Sequence, residues 1–276
     1  MTEYPWGHNR RFNDYSNYCK NTFPWKIQKI SINAGFSCPN RDGTIGKGGC
    51  SYCNNISFSP GYCTPDKSII RQIKEGIAFF SAKYPKMEYL AYFQSFTNTH
   101  APVELLEKRY YEALRQPKIK GIIIATRPDC IDEEKLELIR RISEKWYTVV
   151  EYGVESTLDK TLALVNRGHD FNMAKKAILQ TYEYGIKTGA HLILGLPGEN
   201  REDLLNHARK ISTLPVHTLK LHQLQIIKGT AMEKHYREMP QDFHLFSAKE
   251  YIELAVDFLE RLNPSIIIER FASFSP

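Results

Sequence analysis

Cys38, Cys50 and Cys53 stand as C-x11-C-x2-C within SCPNRDGTIGKGGCSYCNN. Close thiols in a chain without a disulfide framework point to a metal or to catalysis, and three thiolates can hold an iron–sulfur cluster while leaving one iron free for another ligand. An electron-transfer [4Fe–4S] centre takes four cysteines, one for each iron, so an open iron would itself be the chemistry. Cys63 follows Cys53 by ten positions and offers a second reading, a closed zinc site built from Cys38, Cys50, Cys53 and Cys63. Spacing leaves both readings open. The segment 33–55 also carries Gly35, Gly43, Gly46, Gly48, Gly49 and Pro39, which makes it a loop whose backbone can approach a bulky inorganic group and donate amides to it. Cys19 and Cys130 have no close cysteine partner and read as structural thiols.

The elements that must position this loop recur along the chain. Apolar or alternating runs at 26–33, 87–94, 120–126, 146–154, 189–196 and 217–227 read as six strands, and helical patterns near 67–83, 102–116, 132–145, 157–166, 171–185 and 200–213 separate them. Strand and helix in alternation require a mostly parallel sheet, either open and doubly wound or curled into a barrel. Ligands bind at the carboxyl ends of such strands, where the unusual polar residues lie: Gln94, Ser95, Thr97 and Asn98; Thr126 and Arg127; Glu151 and Glu155; His191; His222 and Gln225. Glu151, Gly153 and Glu155 alternate, so the two acids share a face. Like charges there would raise one pKa unless a cation intervenes. Beyond residue 232 come a polar connection, a helix near 247–262 and an apolar run at 265–271. The expected organisation is an arm at 1–25, a core at 26–232 carrying the loop at 33–55, and an extension at 233–276 packed on the core.

The 276 residues suffice for one large α/β barrel or two ordinary domains, and 42% hydrophobic with 25% charged residues is a globular composition. No apolar run approaches the roughly 20 residues that span a bilayer, and the first fifteen residues lack a secretory apolar stretch. A cytoplasmic protein with reduced thiols and no membrane association is the expectation. The net charge of +6 favours polyanionic partners only weakly. Arg10 and Arg11 lie among Tyr4, Trp6, Phe12, Tyr15 and Tyr18, a mixture that suits single-stranded nucleic acid or simply packs an arm on the barrel. Packing is the favoured of the two.

The ending C-x-aromatic-C, with Tyr52 before Cys53, resembles the radical S-adenosylmethionine (SAM) enzymes, in which the aromatic residue's backbone touches the adenine. EYGVESTLDKTLALVNRGH (151–169) and HLILGLPGE (191–199) are similar to the fourth and fifth strands of the oxygen-independent coproporphyrinogen oxidase type. There Glu155 and Arg167 match SAM-site positions, and His191 stands where that group has an acid against the adenosine. An ion pair between Glu155 and Arg167 is the competing structural reading. GLPGE (195–199) matches a turn that passes close to adenine. Together with NAGFSCPNRDG (33–43), YFQSFTNT (92–99) and LHQLQIIKGT (221–230), the pattern looks most like the YhcC/YtqA-type radical SAM proteins, which also resemble the radical SAM portion of the elongator catalytic subunit. Members usually continue past the segment matching ERFAS, so a shortened chain or an unusual member is expected.

The resemblance implies a partial (β/α)6 TIM-type barrel with an N-terminal arm and a C-terminal helix and strand extension. It implies a [4Fe–4S] cluster on Cys38, Cys50 and Cys53, with Cys63 released, and SAM against Tyr52, Gln94, Ser95, Thr97, Glu151, Glu155, Arg167 and His191. A reducing donor such as flavodoxin or ferredoxin would supply one electron, and SAM cleavage would yield methionine and a 5′-deoxyadenosyl radical that abstracts a substrate hydrogen. The substrate implied is the C5 side chain of a tRNA wobble uridine; the alternatives are a small metabolite or a protein side chain, and, without catalysis, a zinc-stabilised RNA-binding module. No residue is marked as a general base or radical relay. Tyr52, Tyr92, Tyr152, His191, His222 and Lys228 are the candidates, each more simply read as structural.

Overall fold

Seven apolar strands, each followed or preceded by a helix with one greasy face, build the computed structural model of the protein, which describes residues 4–54, 56–81 and 86–272. The strands are β1 (Ile27–Ile32), β2 (Glu88–Phe93), β3 (Ile119–Thr126), β4 (Tyr147–Glu155), β5 (Lys187–Leu194), β6 (Thr218–Gln223) and β7 (Ile267–Arg270). They pair in parallel in the order β1 to β7, so every crossover returns to the next position in one sheet. The helices are α1 (Tyr15–Thr22), α2 (Pro39–Asp42), α3 (Ile69–Ser81), α4 (Val103–Leu114), α5 (Glu133–Ser143), α6 (Asp159–Leu164), α7 (Phe171–Glu183), α8 (Arg201–Ser212), α9 (Ala231–Glu238) and α10 (Ala248–Arg261). Asp132, Asp170, Asn200 and Ser247 cap α5, α7, α8 and α10 through side-chain oxygens, and the last two complete capping boxes.

This is the partial barrel of the sequence reading, with boundaries displaced by at most two residues except that the sixth strand ends at Gln223. The last apolar run becomes β7 and joins the same sheet beside β6. Three helices were not anticipated: α1 in the arm, α2 within the cysteine loop and α9 in the polar connection. Residues 82–83 of the predicted first helix, residue 55 of the loop, residues 1–3 of the arm and residues 273–276 of the extension lie outside the described residues.

The main core lies between the sheet's outer face and the helices, with Phe93, Tyr110, Ile139, Tyr152, Ile178, Leu219 and Phe258 all fully buried. The inner face is different. Leu90, Tyr92, Ile123, Ala125 and Val149 form a small apolar patch there, and beside it lies a cluster of charged side chains. Lys29 Nζ on β1 donates to Glu151 Oε1 on β4 at 3.0 Å and to Glu269 Oε2 on β7 at 2.6 Å. Lys220 Nζ on β6 reaches Glu151 Oε2 at 2.6 Å, Glu269 Oε1 at 3.1 Å and the Tyr92 hydroxyl on β2 at 3.1 Å. His191 on β5 adds a 3.0 Å hydrogen bond to Glu151 Oε2. Six of the seven strands thus meet through one buried network, which joins β1 to β7 although those strands share no ladder. Gly189 makes room for it: a Cβ there would lie 2.9 Å from Glu151 Cγ.

The arm seals the end of the barrel beneath this network. Asp14 bridges to Ile268, Phe12 packs edge-on against Phe271, Tyr18 against His217, and Tyr15 lies 5.0 Å under the Lys29 ammonium. These aromatics are therefore structural. Lys220→Met is expected to cost about 3–5 kcal/mol in urea unfolding, because it leaves buried carboxylates short of a partner, whereas exposed Lys234→Met should stay within about 0.5 kcal/mol. Equal small losses would show that the network does not hold the barrel together.

Candidate active site

One cavity of about 550 Å3 opens at the carboxyl ends of the strands, within the usual range for ligand sites. Cys38, Cys50, Cys53, Tyr52, Gln94, Ser95, Thr97, Glu151, Glu155, Arg167 and His191 all line it. Residues scattered over more than 150 positions are brought to one pocket by the parallel topology.

The cysteine loop is held against β4. Cys38 precedes α2, whose first turn donates Arg41 N and Asp42 N to the Cys38 carbonyl at 2.7 and 3.0 Å. Asn40 is buried; its Nδ2 donates to Asn166 O at 2.6 Å and lies 3.7 Å from Cys50 Sγ. Asn166 returns a bond from its own Nδ2 to Gly49 O at 2.9 Å, and Ser51 N donates to Val165 O at 3.0 Å. Arg41 Nη2 secures Cys53 O at 2.7 Å. Asn166 adopts φ +52°, a left-handed conformation that asparagine tolerates better than most side chains. The asparagine and arginine of VNRGH therefore have distinct tasks: Asn166 clamps the loop, and Arg167 enters the cavity.

Arg167 is buried, with Nη1 at 3.5 Å from Cys50 Sγ, Nη2 donating to Gly153 O at 2.5 Å and Glu155 Oε1 at 3.7 Å. A β-bulge at Val154, between the pairs Gly153 with His191 and Glu155 with Leu192, turns Glu155 inward at φ +67°. Gly153 leaves the space, since a Cβ there would sit 2.4 Å from Glu155 Oε1 and 2.6 Å from Arg167 Nη2. The ion pair considered from sequence exists, yet it is loose and borders the cavity. Burial alone would raise the Cys50 thiol, but the charge and hydrogen bond of Arg167 bring its pKa below the ordinary value, which favours the thiolate that ligates metal. Burial, with Cys50 next, raises Cys53.

A second guanidinium faces the loop. Arg127, 2% exposed at the end of β3, is fixed bidentately by Asp129 at 2.9 and 2.7 Å. Its Nη1, like Arg167 Nε, is buried with no hydrogen-bond acceptor. Two buried cations with unmet N–H groups beside three cysteines call for an anionic occupant, and a thiolate-ligated iron–sulfur cluster answers that charge. The donor set therefore fits a [4Fe–4S] cluster. Among the described residues no group of three His, Cys, Asp or Glu side chains surrounds a single ion. Cys63 lies in the main core, 3% exposed, away from the cavity lining, and burial raises its thiol to about 11.

The geometry places the other candidate residues as follows. Glu151 and Glu155 both line the cavity, but Glu151 is also bound into the floor network, where burial would raise its pKa but Lys220 and Lys29 hold it well below the carboxylate range. His191 donates to Glu151, and burial followed by Lys220 lowers its pKa, so it is a neutral floor residue. Tyr152 points outward to the Thr181 hydroxyl at 2.7 Å, and Lys228 is exposed outside the cavity lining. None of residues 195–199 lines the cavity; Glu199 accepts from the Ser156 hydroxyl at 2.5 Å and pairs with His207 at 3.2 Å, which ties GLPGE to the turn after β4. Lys29, Lys220, Glu269 and Arg270 were missed, because nothing local in sequence distinguishes an inward charge on a strand from a solvent-facing one.

Residues 38–211 match the family described as the Radical SAM superfamily, and residues 216–276 match the Radical SAM C-terminal domain. The chain is 34% identical over 267 residues to the uncharacterized protein YtqA of Bacillus subtilis (strain 168), covering 97% of this chain and 82% of that protein. It is 31% identical over 137 residues to the tRNA uridine(34) acetyltransferase of Dehalococcoides mccartyi (strain CBDB1), covering 49% of this chain and 29% of that one. The structure of archaeal Methanocaldococcus infernus Elp3 with an N-terminal deletion superposes with a TM-score of 0.68 at 17% identity, over 92% of this chain and 58% of that chain, a likeness of fold. Cys50→Ser is expected to lose cluster on anaerobic reconstitution, while Cys63→Ser retains about four irons and four sulfides per chain. Loss of iron in Cys63→Ser alone would reverse the assignment.

Proposed function

Since this chain belongs to the radical SAM superfamily, whose enzymes use a [4Fe–4S] cluster and SAM, we propose that Cys38, Cys50 and Cys53 hold the cluster, that Glu155 and Arg167 place SAM, and that the substrate is a tRNA wobble uridine modified at its C5 side chain. The observation that carries the site assignment is the buried Cys50 thiol, with Arg167 Nη1 3.5 Å from its sulfur, beside Cys38 and Cys53 in one cavity. When bound and reduced by one electron, the cluster and SAM supply a 5′-deoxyadenosyl radical that takes a hydrogen atom from the substrate.

The protein's own contribution is placement and exclusion. Arg167 is the bidentate partner for the methionine carboxylate, and Glu155, free of Lys29 and Lys220, accepts from the amine or the ribose. Gln94 accepts from the Ser31 hydroxyl at 2.9 Å and donates from Nε2 to the Phe58 carbonyl at 3.5 Å, which leaves its second amide hydrogen for the cofactor. Ser95 and Thr97 are buried and shape that wall, while Tyr52 closes the cysteine side. The arm and the floor network plug the opposite end, so water and stray hydrogen donors reach the reaction only through the mouth.

Support for the tRNA substrate comes from the acetyltransferase relative's name and from the net charge of +6, which suits a polyanion. The test is mass spectrometry of tRNA nucleosides from cells lacking the gene. A missing wobble-uridine modification with accumulation of its precursor is expected, and an unchanged nucleoside profile would reject this substrate.

A further inference from the structure

The inner wall of the barrel carries a charge that no carboxylate among the described residues pairs with. A β-bulge ends β7: Leu219 pairs with Ile268 and Lys220 with Arg270, so Glu269 and Arg270 together oppose one step of β6. Such a bulge lets two consecutive side chains reach the same face. Glu269 turns to Lys29 and Lys220, and Arg270 reaches the cavity wall and His222. At the floor, among the described residues, the ammonium groups of Lys29 and Lys220 pair with the carboxylates of Glu151 and Glu269, and Arg270 lies beside them. The ammonium groups are consumed by those carboxylates. Among the described residues Arg270 has no carboxylate: its Nη2 donates to His222 Nε2 at 3.2 Å, and its Nε is buried without an acceptor.

His222 supports this placement. It receives the guanidinium at Nε2, so its proton resides on Nδ1 and the ring is neutral. Burial, then the charge of Arg270, pushes its pKa well down, consistent with that acceptor role. The His222 ring also lies 5.8 Å from that of His191, beside the anchored floor. Arg270 is thus held by a neutral group and lines the same cavity as Arg127 and Arg167, the guanidiniums that follow β3 and β4.

We propose that Arg270, positioned by His222, is an anion-binding subsite that takes a carboxylate or phosphate group of the substrate inside the barrel. On the proposed tRNA reading, on which the choice of substrate rests, that anion is either an acidic group on the C5 side chain of the uridine or a backbone phosphate. A guanidinium matches the two oxygens of either group with paired hydrogen bonds, and the enclosed setting strengthens them.

The test uses cluster-reconstituted protein loaded with SAM under anaerobic conditions, with dissociation constants measured for acetate, inorganic phosphate, uridine, uridine 5′-phosphate and 5-carboxymethyluridine. At least one small anion should bind, and one acidic nucleoside should bind about tenfold or more tighter than uridine, as expected of a charge-assisted pair. The better acidic nucleoside identifies the source: 5-carboxymethyluridine for a side-chain acid, uridine 5′-phosphate for the backbone. In Arg270→Gln the ratio of acidic nucleoside to uridine should fall to near one, and Arg270→Lys should restore part of it, a pattern that a merely structural arginine does not produce. Arg270-dependent binding of acetate or phosphate without any nucleoside binding would remove the uridine reading and keep the subsite. Small anions that bind Arg270→Gln as well as the wild type, or that bind neither, would overturn the subsite whatever the nucleosides do.

Discussion

Glu151 at the centre of the barrel, held between the ammonium groups of Lys29 and Lys220, is the interaction on which the other parts depend. A buried carboxylate is costly unless its partners satisfy it, and here the partners come from the first, fifth and sixth strands, with Glu269 of the seventh completing the charge balance. An open parallel sheet has no ladder between its edges, so these side chains define how far it curls. Their position also sets the depth of the cavity, because the network is its floor.

At the other end the constraint is different in kind. The cysteine loop has little regular structure and depends on borrowed contacts: Asn40 and Asn166 exchange bonds across it, and Arg41 and Ser51 fasten its ends. The same stretch after β4 supplies Arg167 to the Cys50 sulfur. The loop, the environment of the Cys50 thiol and the cavity-lining arginine are therefore placed by a single segment, and the left-handed residues Glu155 and Asn166 mark where the backbone is bent to achieve it. Three arginines line the same cavity: Arg167 lies against the Cys50 sulfur, Arg127 is fixed by Asp129, and Arg270 lies against His222.

Much of this was legible in the sequence because the signals were local. Strand and helix periods gave the parallel alternation, and the C-x11-C-x2-C loop, Glu155 and Arg167 were readable from spacing and resemblance. What escaped was set by tertiary packing. Lys29 in KIQKISIN and Lys220 in HTLKLHQLQ look like ordinary polar positions on alternating strands, and only the curl of the sheet turns them inward. The bulge in β7 shifts the parity of Arg270 without any glycine or proline at the bulged position to announce it. His191 and Glu151 illustrate the converse: both line the cavity as expected, yet their bonds commit them to the floor.

The claim that everything else serves is an iron left open by three cysteines and taken by SAM. Electron–nuclear double resonance on the anaerobically reduced, reconstituted protein with SAM carrying nitrogen-15 in the methionine amine tests it most directly. The expected result is a nitrogen-15 coupling to the cluster, together with a change in its electron paramagnetic resonance on adding SAM. A cluster whose spectrum is unaltered by SAM and shows no such coupling would contradict it.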